Sequence, residues 1–295
     1  MKLSINGMAE KFRELLNGPK VIEMPGCHDI VSGMVLEDVG FNVIFMSGYG
    51  VATSFLGNPD IGLTTLTETA AVARNLVRSL HVPIVVDIDD GYGNENNVAR
   101  TIHELEQAGV AAVVMEDQES PKRCGHSNGK KIIPLNDYMK KLDCALHVRK
   151  SALSIIARTD EVDLNAAIQR AKTFHAAGAD VTLIDGIRSL DDIKRIADEV
   201  PGHKQINLIY GGKTPLLSLH ELTALGFKVV LYSTPTLYLM AQALFKWMSV
   251  LHETHDLNSI SEQSMKFSEF QSFIENNYLK RHQWHPIRAV NDGLC

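Results

Sequence analysis

Eight short apolar runs, each separated from the next by an amphipathic stretch and most turning polar at the carboxyl end, constrain the fold of this chain more than any other feature. They span residues 21–24, 43–47, 84–87, 112–116, 153–157, 181–184, 205–209 and 229–232. Runs this short and this continuously apolar read as strands covered on both faces, as in a parallel sheet flanked by helices. Between them, residues 67–80, 95–108, 136–150, 164–177 and 189–199 carry helical spacing, and several close on Ala-Gly or Pro before the next run. Eight such alternations predict an α/β fold, a (β/α)8 TIM barrel, with a doubly wound sheet as the alternative.

A chain of 295 residues, 45% apolar and 22% charged, is long enough for one such barrel. The barrel is expected over residues 1–251. Beyond Leu251 the sequence turns polar, yet 265–279 keeps helical spacing through Phe267, Phe270, Phe273, Ile274 and Tyr278. Residues 252–295 are therefore expected to form a C-terminal helical extension, held in the same domain or exchanged with a partner, its end from Arg281 loosely ordered or reaching another subunit. A net charge of -6 with no basic block argues against nucleic acid as a partner. No apolar run is long enough for a bilayer, and the start lacks the apolar core of a secretion signal, so a cytoplasmic protein without a membrane partner is expected. Four cysteines, Cys27, Cys124, Cys144 and Cys295, lie scattered without CxxC spacing, which predicts reduced thiols.

In a barrel of this kind chemistry gathers at the carboxyl ends of the strands. Ser47-Gly48 closes the second run, Asp87 and Asp89 the third, and Glu116 the fourth. Arg158 follows the fifth, Asp185 the sixth, Asn207 lies in the seventh, and Ser233 follows the eighth. Asp87, Asp89 and Glu116, with Asp60, offer oxygen ligands for a hard cation, Mg²⁺ or alternatively Mn²⁺, although Asp-x-Asp is also common turn chemistry. The stretch Lys122-Arg123-Cys124-Gly125-His126 sets a thiol among cations and a histidine in a polar loop with Lys130 and Lys131, which predicts a reactive cysteine rather than a core one. Arg158 either pairs with Asp160 or offers two parallel donors to a substrate carboxylate. Asn207 and Gly211-Gly212-Lys213-Thr214-Pro215 supply amide, hydroxyl and backbone donors for an anion, while a Gly-Gly pair also marks a simple turn.

Taken in order, Pro25-Gly26-Cys27-His28-Asp29, Phe45-Met46-Ser47-Gly48-Tyr49-Gly50, Leu56-Gly57-Asn58-Pro59-Asp60-Ile61-Gly62, Asp87-Ile88-Asp89-Asp90-Gly91-Tyr92-Gly93, Glu116-Asp117-Gln118, the Cys124 loop, Ile156-Ala157-Arg158-Thr159-Asp160 and Gly211-Gly212-Lys213-Thr214-Pro215 resemble the isocitrate lyase/phosphoenolpyruvate mutase superfamily. The resemblance runs through most of the chain. It implies a Mg²⁺-dependent barrel, assembled as a homotetramer of helix-swapped dimers, with a mobile loop carrying Cys124. The cysteine implies the branch that makes or breaks carbon–carbon bonds, similar to 2-methylisocitrate lyase and to the oxaloacetate and 2-alkylmalate lyases. A phosphonomutase such as carboxyphosphonoenolpyruvate mutase is the alternative. By the same resemblance Asp87 would hold the metal, with Asp60, Asp89 and Glu116 acting through water. Ser47, Gly48 and Arg158 would fix the carboxylate of a small anionic substrate, with Tyr49, Arg123, Gly125, Asp185, Asn207, Tyr210, Gly211 and Ser233 around it. Cys124 would protonate an enolate, and His126, Glu116 and Lys122 would assist. Asp185 and Tyr210 stand where the superfamily commonly has glutamate, Ile88 where alanine is customary, His28 where tyrosine is common and Ser233 where many relatives have proline. These departures are expected to narrow and recharge the pocket, and serine near Ser233 is associated with members that cleave oxaloacetate.

Overall fold

The computed structural model describes residues 7–282, so the expectations for the extreme N-terminus, for the end of the chain and for Cys295 lie outside the described residues. All eight apolar runs are strands of one closed parallel barrel, arranged in sequence order. They are β1 Ile22–Cys27, β2 Ile44–Met46, β3 Ile84–Asp87, β4 Ala112–Glu116, β5 Ser154–Thr159, β6 Val181–Ile184, β7 Lys204–Asn207 and β8 Val229–Tyr232. The ring closes where Ile22 registers with Val229 and Pro25 with Tyr232.

Two strands run further than expected, each for a local reason. In β5, Arg158 and Thr159 stay in register with Leu183 and Ile184 of β6. In β1, the strand continues through Gly26 because the end of β8 lies against it: a Cβ at Gly26 would sit 2.1 Å from the Ser233 carbonyl oxygen.

Helices α1 Gly7–Asn17, α2 Ile30–Val39, α3 Gly48–Leu56, α4 Leu66–Ser79, α5 Glu95–Ala108, α6 Leu135–Val148, α7 Leu164–Ala176, α8 Leu190–Glu199, α9 Leu219–Ala224, α10 Pro235–Thr254 and α11 Phe267–His282 complete the described chain, with a 3-10 turn at Leu257–Gln263. The first of them lies outside the β/α repeat. Its Phe12 and Leu16 join Met24, Phe45, Val114 and Leu231 in one buried cluster, so α1 closes the amino-terminal end of the barrel.

Strand alternation sorts the core into layers. Phe45, Val85, Val114, Ile156, Leu183, Val229 and Leu231 fill the lumen, while Ile44, Val86, Val113, Ile155 and Ala157 face the surrounding helices. Each lumen series continues two residues further into a polar side chain: Phe45 to Ser47, Val85 to Asp87, Val114 to Glu116, Ile156 to Arg158, Leu183 to Asp185 and Leu231 to Ser233. Seen this way, the site is the uppermost layer of the barrel core.

The expected division at residue 251 falls inside α10. That helix runs on to Thr254 and stops where His255 turns left-handed at φ 52°. Leu237 is its one buried residue, whereas Leu239 and Phe245 are 71% and 78% exposed. α11 folds back on the same chain: Phe273 and Ile274 pack on the outer core, and Lys280 pairs with Asp38 of α2 at 2.6 Å. Among the described residues no helix is long and apolar enough to cross a membrane.

Candidate active site

The lumen ends in a cavity of about 350 Å³ at the carboxyl ends of the strands. Phe45, Val114, Leu183 and Leu231 form an apolar floor, and the polar layer above them supplies the walls. A loop between β4 and α6 folds over the top. Its base is fastened by Glu119 N–H donating to the Lys131 carbonyl at 2.8 Å and Ile133 N–H donating to Asp117 at 2.9 Å.

On one side lie the carboxylates of Asp60, Asp87, Asp89 and Glu116. Asp87 rests against the first turn of α3, and only a glycine leaves it room there, since a Cβ at Gly48 would lie 2.8 Å from Asp87 Oδ2. Ser47 caps the same helix, its Oγ accepting from Gly50 N–H at 3.2 Å. The Lys122 ammonium reaches Asp60 at 2.8 Å and Asp89 at 2.6 Å. Burial pushes Asp89 up to about 6, with Lys122 opposing and Asp87 and Asp60 adding to the rise. Burial likewise holds Glu116 well above the ordinary carboxylate range in spite of Arg158 and Lys122. Lys122 goes the other way: burial lowers it, but Asp89, Glu116, Asp87 and Asp60 outweigh this and keep it charged.

This pocket therefore calls for positive charge. Glu116 Oε1 is buried with neither a hydrogen bond nor an ion pair, while Asp89 Oδ1 faces Lys122 at 2.6 Å and Glu116 Oε2 faces Arg158 at 3.2 Å. Among the described residues no three His, Cys, Asp or Glu side chains come together as a group able to hold a metal ion. An all-oxygen set of this kind fits a hard divalent cation that takes one or two carboxylates directly and keeps its waters.

The opposite wall is organised by Arg158. Its Nε donates to Asp160 Oδ2 at 2.8 Å, and its Nη2 lies 2.9 Å from Asp185 and 3.2 Å from Glu116. Burial raises Asp185, but Arg158 and His126 outweigh it and hold the carboxyl well below its usual range. Asn207 Nδ2 donates to the same carboxylate at 3.1 Å, which leaves Asn207 Oδ1 buried and unpaired, as is Ser233 Oγ. Lys130 closes the network on Asp160 at 2.7 Å.

Over both walls sits Cys124. Burial pushes its thiol up, a backbone hydrogen bond at His126 opposes this, and Asp60 and Asp185 reinforce the rise. The neighbouring cations do not reverse it, because Lys122 is committed to carboxylates and Arg123 faces outward. The cysteine expected to be reactive is thus a thiol raised by its burial rather than one activated by its cationic neighbours.

The family model described as phosphoenolpyruvate phosphomutase matches residues 12–251. The chain belongs to this family. It is 36% identical to 2,3-dimethylmalate lyase of Eubacterium barkeri over 92% of this chain and 98% of the relative. It is 38% identical to 2-methylisocitrate lyase of Halalkalibacterium halodurans over 91% and 93%. A crystal structure of a 2,3-dimethylmalate lyase superposes with a TM-score of 0.90 at 28% identity, covering 98% of both chains. The chain is accordingly an enzyme of the isocitrate lyase/PEP mutase superfamily.

Within that frame, most residues singled out from the sequence converge on one cavity: Ser47, Tyr49, Asp60, Asp87, Lys122, Cys124, Gly125, His126, Arg158, Asp185, Asn207, Tyr210, Gly211 and Ser233 line it. Gly48, Asp89 and Glu116 stand directly behind these. Arg123 is the exception. Its backbone is clasped by Gln118, which accepts from Arg123 N–H at 3.0 Å and donates to its carbonyl at 2.8 Å, and its side chain turns to a separate surface depression. Arg158 makes the pair with Asp160, extended to Asp185 and Glu116, and also lines the cavity.

Two of the departures from the superfamily pattern do not narrow the pocket. Ile88 is fully buried in the outer core, and His28 packs beneath α10 on Thr236 and Met240. Tyr210 is 85% exposed at the rim. Residues missed from the sequence include Phe45 and Leu231, readable from strand alternation, and Tyr238, which meets Tyr49 edge-on at 6.4 Å. Tyr238 carries no sequence signal, because α10 supplies it from beyond the last strand.

Proposed function

We propose that the chain is a Mg²⁺-dependent carbon–carbon lyase, with Mn²⁺ as an alternative ion, acting on a small 2-hydroxy or 2-oxo dicarboxylate of the 2-alkylmalate, oxaloacetate or methylisocitrate type. The observation that carries this reading is the half-buried Cys124 thiol opening into the same cavity as Asp87 and the first turn of α3. Asp87, with Asp60, Asp89 and Glu116 behind it, would hold a divalent cation, which would supply electrostatic stabilisation of negative charge on the substrate's oxygen. The backbone N–H groups at the start of α3 bind the adjacent carboxylate. For a 2-hydroxy acid, the hydroxyl proton passes to a carboxylate of the Asp60, Asp87, Asp89 and Glu116 cluster as the bond to the neighbouring carbon breaks, and the electron pair of that bond stays on the departing carbon. A 2-oxo acid leaves, and Cys124 returns a proton to the carbanionic carbon of the other fragment. The loop above keeps water from that carbon until the proton is delivered. The apolar floor of Phe45, Val114, Leu183 and Leu231 favours a substrate with an alkyl substituent.

The test is turnover of a panel of 2-hydroxy and 2-oxo dicarboxylates with and without Mg²⁺. Release of a 2-oxo acid or oxalate that Cys124→Ala and Cys124→Ser both abolish supports the reading; full activity in both variants removes Cys124 from the chemistry. The matching family model favours a second reading, a phosphonomutase. Its signature is a phosphorus–carbon product by phosphorus NMR that survives loss of Cys124.

Oligomeric assembly belongs to the same proposal. The exposed apolar residues Leu244, Phe245 and Met248 in the outer part of α10 support a homotetramer of helix-swapped dimers, in which that part of each α10 packs on a partner barrel.

A further inference from the structure

The turn at Gly211-Gly212-Lys213, expected to cradle an anion, instead meets the Cys124 loop at three points. Lys213 N–H donates to His126 Nδ1 at 2.9 Å, and the Lys213 ammonium donates to the Ser127 carbonyl at 2.5 Å. Gly212 lies against the imidazole so closely that a Cβ there would sit 2.5 Å from Nδ1. The two glycines have separate jobs. Gly211, at φ 75°, makes the turn, whereas Gly212 leaves the space into which His126 docks.

A backbone N–H only donates, so Nδ1 accepts, and a neutral imidazole in that position carries its proton on Nε2. This Nε2 is buried at the cavity wall, and its one polar neighbour there, Asp185 Oδ1, lies at 3.4 Å, a long contact short of a well-formed hydrogen bond. We propose that Gly212 and Lys213 form a tautomer latch that holds His126 as an Nε2–H donor aimed at a substrate oxygen beside Asp185. Lys213 is then a positioning residue that acts through its main chain. The substrate part of this inference rests on the lyase reading; the tautomer does not.

Nitrogen-15 NMR of the full chain labelled at histidine, with Mg²⁺ and oxalate present, reads the latch directly. His126 is assigned by its absence from the His126→Gln spectrum. The expected result is a protonated Nε2 and an unprotonated Nδ1 in the native protein, and a mixture of tautomers in Gly212→Ala. Turnover should fall roughly 100-fold in Gly212→Ala, the effect of displacing a reacting geometry by about 1 Å. His126→Gln, whose amide N–H₂ reaches the Nε2 position, should keep turnover within about tenfold of native, whereas His126→Asn, which reaches only the Nδ1 position, should lose it. A proton found on Nδ1 of the native protein overturns the latch, and this measurement stands even if Gly212→Ala fails to fold. Equal turnover in the Gln and Asn variants overturns the donor role. If no dicarboxylate is cleaved at all, the lyase reading fails while the NMR result still decides the tautomer.

Discussion

Replacing Gly125 by alanine tests whether the loop as folded over the cavity is the form in which chemistry occurs. An added Cβ would lie 2.1 Å from Asp185 Oδ2, 2.3 Å from Arg158 Nη2 and 3.0 Å from Asp160 Oδ1. None of these atoms is the loose end of a flexible chain. Asp185 is held by Asn207 at 3.1 Å and Arg158 by Asp160 at 2.8 Å, all of them buried. To regain ordinary van der Waals contact, which begins at 3.4 Å, the loop must withdraw by about 1 Å or more, carrying Cys124 with it. A misplacement of that size costs on the order of 100-fold in rate, or about 2.7 kcal/mol in the barrier. Gly125 has no left-handed backbone requirement, so the cost of the variant lies in this clash, and any loss of global stability should stay within the roughly 1–3 kcal/mol of an overpacked buried position. Steady-state cleavage of the best dicarboxylate and thermal unfolding are measured side by side. A kcat/KM within threefold of native, with unchanged melting, would refute the proposition that the loop backbone seats on Arg158 and Asp185 during turnover.

Three further outcomes follow from the same structure. Because burial raises the Cys124 thiol, the proton-donor form persists through pH 8. Activity should then decline only on the alkaline side of about pH 8.5, the ordinary cysteine value; an alkaline limb centred below pH 8 would contradict this. Burial lowers the pKa of His28, with Asp29 partly offsetting it. Its contribution to stability is therefore complete above about pH 6.5 and is lost as pH falls through the depressed folded value. Thermal melts from pH 7 to pH 5 should show a loss that His28→Phe reduces, and an identical slope in the variant would exclude His28 as the source. Phe245→Glu, on the exposed face of α10, should leave the monomer folded and shift sedimentation toward smaller species, whereas native sedimentation would remove this face from the interface.

The fold was legible because buried parallel strands leave little room for confusion with amphipathic helices, and because the switch from apolar to polar marks the mouth of the barrel. Alternation even distinguishes neighbours. With Asp87 in the lumen, Ile88 must face the helices, so its exclusion from the pocket follows from parity alone. Parity fails inside loops. Arg123 turns outward because Gln118 clasps its backbone, and no spacing rule encodes that clasp. The approach of Lys213 to His126 joins residues 87 positions apart, and it depends on one glycine lacking a side chain. Sequence marked Gly-Gly as a turn, but the second glycine's role emerges only when two loops are placed together. α1 was also overlooked as a plug, since its pattern is that of any short surface helix until the open barrel end beneath it is recognised.

Lys122 adds a thermodynamic dimension to the covering loop. Lifting that loop separates a buried ammonium from Asp60 and Asp89, at 2.8 and 2.6 Å, so opening is an act of charge separation as well as a change of shape. Its equilibrium should then respond to dissolved ions: added salt screens the carboxylates once water enters and favours the lifted state, while dilute buffer keeps the cover down. Where release of product limits the rate, ionic strength becomes a control on turnover that leaves every reacting group in place.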